Sequence, residues 1–135
     1  MNPAPKDWPQ WRQEELARNQ MNGCVGMRLV SETDEVRVWL IDLAPGERIG
    51  FHRHVLNYFW TATSDGSARS HFDDGRISDA AYKLGDTRHY AFAPGEYMLH
   101  DLENTGSAKL SFVTTELKIG SANKPLPLSA LKPRF

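Results

Sequence analysis

A single cysteine, Cys24, stands in the whole chain of 135 residues. An internal disulfide is therefore excluded, and such sparing use of cysteine fits a reducing, cytoplasmic setting. Cys24 lies beside the apolar stretch that begins at Val25. Cysteine is among the residue types most often buried, so it is read as core rather than as a nucleophile. Long apolar runs are missing too. None approaches the roughly 18 residues of a membrane-spanning helix. The segment from Met1 to Trp8 has no apolar core of a signal peptide, so export is not expected. An excess of one charge is also lacking: the formal net charge is −1 and the pI about 6.5. That gives no electrostatic basis for binding nucleic acid or an anionic membrane, and leaves a small molecule as the expected ligand. With 40% apolar and 24% charged residues, the composition is that of one globular domain.

Residues 1–23 differ from the rest of the chain. Asp7-Trp8-Pro9 reads as a helix start, with Asp7 as cap and Pro9 in the first turn. Glu14 and Arg18 stand one turn apart, and Asn22-Gly23 is the expected stop. Trp8 and Trp11 on this segment are expected to cover a barrel surface or a subunit contact. From Val25 the pattern becomes that of strands: Val25, Met27 and Leu29 alternate, as do Val36, Val38 and Leu40 against Trp39, Ile41 and Leu43. Turn signals recur at Ala44-Pro45-Gly46, Ser64-Asp65-Gly66, Asp73-Asp74-Gly75, Gly85-Asp86, Ala93-Pro94-Gly95 and Asn104-Thr105-Gly106. Such punctuation, at roughly 8–12-residue spacing, is the mark of an all-β sandwich or barrel. Strands are expected over 55–63, 68–72, 80–84, 88–92, 97–102 and 109–117. Residues 24–119 then form one antiparallel β-domain, and 120–135, rich in proline, an extended tail.

Histidine is where chemistry enters. Successive strand side chains point to opposite faces, so His52 and His54 share one face and Arg53 takes the other. Arginine is rarely buried unpaired, which sends the two imidazoles inward. Buried imidazoles need partners, and one metal ion serves both; on spacing alone, exposed residues at a strand start remain an alternative. His100 shares a face with Met98 and Leu102, so it points inward, with Asn104 beyond it and Asp101 and Glu103 opposite. His89 alternates against Tyr90 and Phe92, and His71 against Phe72 and Ala68; both are expected to face solvent.

Gly46, five residues, then His52-Arg53-His54, with Gly66 downstream, resembles the first motif of the cupin superfamily: Gly-x5-His-x-His, three or four residues, Glu, six residues, Gly. The stretch through Pro94-Gly95 to His100 and Asn104 is similar to the second motif, whose end reads Pro-x-Gly, two residues, His, three residues, Asn. The resemblance spans roughly residues 36–117 and looks like that of the small bacterial single-domain cupins. It departs at two places. Where the motif has glutamate, this chain has Tyr58 or Phe59, and His100 comes one residue late, which a local bulge would absorb.

The resemblance implies a jelly-roll barrel, the double-stranded β-helix, with metal-ligand roles for His52, His54 and His100 and none for a carboxylate. Three neutral imidazoles leave a divalent ion its full charge and open positions, as in catalytic sites. Fe(II) is the preferred metal, with Zn(II) or Ni(II) as alternatives. Within the cupins such sites resemble those of thiol and diketone-cleaving dioxygenases. The expected pocket comprises Phe51, Tyr58, Trp60, Tyr90, Phe92, Met98 and Asn104, with Tyr58 either a donor or fourth ligand at the metal or an aromatic of the barrel wall. A non-catalytic binding protein is the alternative function, and metal-assisted isomerisation of a sugar or keto acid a third. By analogy with small cupins, a homodimer is expected.

Overall fold

The computed structural model describes residues 5–128; the expectations for residues 1–4 and 129–135 lie outside the described residues. The chain runs α1 (Gln10–Arg18), β1 (Arg28–Glu32), β2 (Val36–Leu43), β3 (Arg48–His54), β4 (Asn57–Ala62), β5 (Gly66–His71), β6 (Ile77–Tyr82), β7 (Thr87–Tyr90), β8 (Met98–Asn104) and β9 (Leu110–Leu117). The strands form two sheets, one in the order β1-β2-β9-β4-β7 and the other β3-β8-β5-β6, with every pairing antiparallel. This is the expected all-β jelly roll.

Alternation builds the interior. β2 and β9 pair without interruption from Val36↔Leu117 to Leu43↔Leu110. Ile41 and Leu43 on β2 meet Leu110 and Phe112 on β9, with Ile49, Ala62 and Ala68 completing the cluster. The two motif glycines are steric necessities. Gly46 has φ +82°, in the left-handed region glycine tolerates, and a Cβ on Gly66 would sit 2.7 Å from Leu110 Cδ1.

β3 is an edge strand, yet every residue from Ile49 to His54 is buried. Its register against β8 slips between Ile49↔Leu102 and His52↔His100, so β3 carries one residue more than its partner. This bulge at Gly50-Phe51 puts Ile49, His52 and His54 on the inner face, and Arg48, Phe51 and Arg53 on the outer one. The bulge thus lies in β3, within the first motif, and the pairing of β8 with β5 shows none.

The N-terminal segment covers that outer face. Trp8 stacks on Phe51 at 5.7 Å, and both pack with Leu16 and Leu99. Trp8 is buried against its own chain and is not a surface contact residue, whereas Trp11 is exposed. The free backbone of β3 is also answered: the Phe51 amide donates to Glu15 Oε2 at 3.1 Å, Asn22 Nδ2 donates to the Phe51 carbonyl at 3.0 Å, and the Arg53 amide donates to the Asn22 carbonyl at 2.7 Å. Arg53 Nε donates to the Gln20 carbonyl. Two local expectations change. The helix starts at Gln10 with Pro9 in the cap position and no side-chain cap, because Asp7 lies in a preceding turn. It ends at Arg18, ahead of Asn22-Gly23, since Gln20 and Asn22 are drawn onto β3.

Between helix and sheet lies a buried ion network. Arg48 bridges Glu15, at 2.7 Å, and Asp101, at 2.7 Å. Asp101 also accepts from the His71 amide at 2.6 Å and contacts His71 Nδ1 at 3.1 Å. His71 therefore departs from the expected solvent exposure. Its ring does point away from the barrel interior, but Trp8 stands edge-on to it at 5.9 Å and closes that face. Removing Arg48 strands two buried carboxylates. Arg48→Ala is expected to lower stability by about 3 kcal/mol, read from urea denaturation; a loss of a few tenths would refute the role given to this network.

Candidate metal centre

Alternation along β3 and the cross-strand pair His52↔His100 bring three imidazoles together. His52, His54 and His100 offer ligand nitrogens that all lie within 4.8 Å of one another. His54 Nε2 and His100 Nε2 are 3.2 Å apart, the separation of two ligands on one ion with bonds of about 2.1 Å. His52 donates through Nδ1 to the Gly50 carbonyl at 2.9 Å, which turns its Nε2 toward the others. The carbonyl belongs to the bulge, so the irregularity that sets the faces also orients a ring. Nδ1 of His54 and of His100 is buried without a partner among the described residues, so these rings are held from the Nε2 side.

Burial pushes all three pKa values down: His52 to about 4, His100 to about 3, and His54 well below the ordinary range, with neighbouring histidines adding to the effect for the last two. At neutral pH each ring is uncharged and presents a lone pair. The donor set, all imidazole and no carboxylate, fits a borderline divalent metal.

The cluster opens into a cavity of about 510 Å³, in the range of small-ligand sites. Of the expected pocket residues, Tyr58, Trp60, Tyr90 and Met98 line it. Phe51 does not: as the strand neighbour of His52 it takes the opposite, outer face and lies under Trp8. Asn104 is buried, but its amide donates to the Leu43 and Ala108 carbonyls and so fastens a turn. Phe92 stacks behind Tyr58 at 6.2 Å, outside the lining. Tyr58 meets His54 with its ring face, centroids 4.1 Å apart and planes 10° from parallel, while its hydroxyl points to Met98 Sδ at 3.8 Å. Burial holds this phenol well above its ordinary pKa, so it stays protonated. His89 is exposed and packs on Phe59.

Three features are not evident from the sequence pattern. Phe72 stacks on His100 at 5.3 Å, forming the second aromatic flank. Arg76 and Arg88 also line the cavity, although loop and edge positions give no sign of it. Glu116 lies inside the barrel, opposite Tyr58 in the register, an inward acid that the expected site does not include. Its alternation with Leu110, Phe112 and Thr114 is the available signal. Glu116 accepts from the Trp39 indole at 2.8 Å and does not line the cavity.

No protein-family model and no curated protein matches the chain. Solved structures do. A cupin domain from Bordetella pertussis Tohama I superposes with a TM-score of 0.59 at 21% identity, covering 67% of this chain and 90% of that one. The fold is that of the cupins. An uncharacterized conserved protein with a double-stranded β-helix domain from Klebsiella pneumoniae gives 0.54 at 27% identity, with 70% and 77% covered. An RmlC-like cupin family protein from Methanocaldococcus jannaschii gives 0.53 at 19%, with 67% and 76% covered. The cupin barrel thus accounts for β3 and β8, the strands that carry the three clustered histidines, lying side by side. No helix among the described residues is long and apolar enough to cross a membrane.

Burial pushes the Glu116 carboxyl up from 4.5 to about 7, against the pull of Trp39 and Arg37. Between these values the folded chain keeps a proton that the unfolded chain releases. The stability contributed by the neutral carboxyl is full below about pH 4.5 and is lost as pH rises through about 7. Glu116→Gln is therefore expected to gain on the wild type across that window, measured by denaturation at each pH. Parallel curves for the two proteins would contradict it.

Proposed function

We propose that the protein is a mononuclear three-histidine metalloenzyme of dioxygenase type acting on a small organic substrate. His52, His54 and His100 hold one divalent ion, Fe(II) in preference to Zn(II) or Ni(II). The observation that carries this reading is the convergence of three neutral imidazole nitrogens within 4.8 Å at the head of an open cavity. Fe(II) held by these three imidazoles would supply Lewis acidity and one-electron chemistry.

The chain's own residues do the rest. The Gly50 carbonyl keeps His52 in the tautomer whose Nε2 is free. Tyr58 and Phe72 press on His54 and His100 and keep water from the rings' flanks. Among the lining residues the sole carboxylate is Asp86, exposed and accepting the Lys83 amide. An isomerase needs a pair of placed acid–base groups, so the lining favours redox chemistry over proton shuttling.

Metal analysis of the purified chain is expected to find one ion per chain. His52→Ala, His54→Ala and His100→Ala should each lose it while the far-UV circular dichroism keeps its β signature. Full metal content in those variants would sink the reading. Fe(II)-loaded protein is expected to take up oxygen with a member of a panel of small thiols and diketones. Tight binding from that panel without uptake would reassign the chain as a binding protein.

A further inference from the structure

Two stacked columns run from the mouth of the cavity to the histidines. In one, the Arg76 guanidinium lies 4.1 Å from the centroid of Phe72, which stacks on His100 at 5.3 Å. In the other, Arg88 lies 5.1 Å from the centroid of Tyr90, which stacks on Tyr58 at 4.7 Å, and Tyr58 stacks on His54 at 4.1 Å. Each column begins at an arginine and ends at a histidine of the cluster. Arg76 leads into β6 and Arg88 lies on β7, each strand an edge of its own sheet, and both side chains line the one cavity.

Neither guanidinium forms an ion pair among the described residues, although Arg37, Arg48 and Arg69 all do. Stacking occupies the face of a guanidinium and leaves the in-plane N–H donors at its edge. Those donors form a fork that matches the two oxygens of a carboxylate or phosphate. The lining holds two cations against one carboxylate, Asp86, which is engaged by the Lys83 amide. Between the columns the wall is apolar and aromatic, with Trp60, Tyr82 and Phe112 in mutual edge contact.

From this placement we propose that the cavity takes an organic oxyanion, an apolar body bearing a carboxylate or phosphate, with the anionic group received by Arg76 and Arg88. The inference rests on the metal reading for where the other end of the molecule goes, but the anion site itself is built from residues outside the histidine cluster. Association should be faster and tighter at low salt, because both guanidiniums are exposed to screening.

The test is isothermal titration of the cobalt(II)-loaded full chain with benzoate, phenyl phosphate and benzamide. At least one of the two anions is expected to bind at least about tenfold more tightly than benzamide, and the ratio between them tells carboxylate from phosphate. Arg76→Ala and Arg88→Ala are each expected to weaken that anion by about tenfold or more. Benzamide affinity and cobalt content should stay unchanged, and Arg→Lys should recover part of the loss. Benzamide binding as tightly as the anions, wild-type anion affinity in both alanine variants, or no binding of either anion overturns the proposal. A wild-type chain that takes up no cobalt counts against the metal reading instead; the same titrations followed by tryptophan fluorescence on the metal-free chain then decide the anion site.

Discussion

An edge strand cannot be left dry and unpaired, and β3 is such a strand with the most important side chains of the molecule on its inner face. Its outer face and free backbone must be satisfied by something other than water. The N-terminal segment does this with Glu15 and Asn22 at the backbone, Gln20 at the Arg53 guanidinium, and Trp8 and Leu16 over Phe51. Arg48 is the link, since it neutralises Glu15 from the helix and Asp101 from β8 at once. The residue next to His100 is thereby fixed from the opposite side of the sheet. The support of the histidine cluster is thus a charge network that never enters the cavity.

Inside, the same burial has a different effect. It strips the histidines of solvent and keeps them neutral, which is the state a metal needs. Their flanks are aromatic on both sides, and the ring stacks leave little freedom for His54 or His100 to turn. Rigidity here comes from packing, because neither ring has a hydrogen bond on its far nitrogen.

Much of this is legible in the residues. Period-2 alternation and turn spacing point to the all-β class, and the two glycine-and-histidine motifs point to the barrel. Those patterns survive because they are local: a strand face is decided by neighbours two positions away. The departures are non-local. His71 differs from expectation because alternation says which face a side chain takes, and not whether another segment covers that face, whereas Phe51 follows the alternation from His52 and so leaves the pocket. Trp8 reads as covering either the barrel or a partner, and its own sheet claims it. Arg76 and Arg88 stand apart in sequence, and only the folded barrel brings both to one cavity. Glu116 is the instructive case, since the alternation rule reaches it and its charge argues against following the rule.

The single extra residue at Gly50-Phe51 also sets a parity. Seven residues of β3 carry two sets of instructions, one for the cavity and one for the helix. The odd step lets Arg48 and Ile49 belong to the opposite sets from those that strict alternation from His52 would give them. The same seven residues paired without the bulge would place either an arginine among the core aliphatics or two histidines under the tryptophan. In this protein the distance between residues along the chain is itself a functional element.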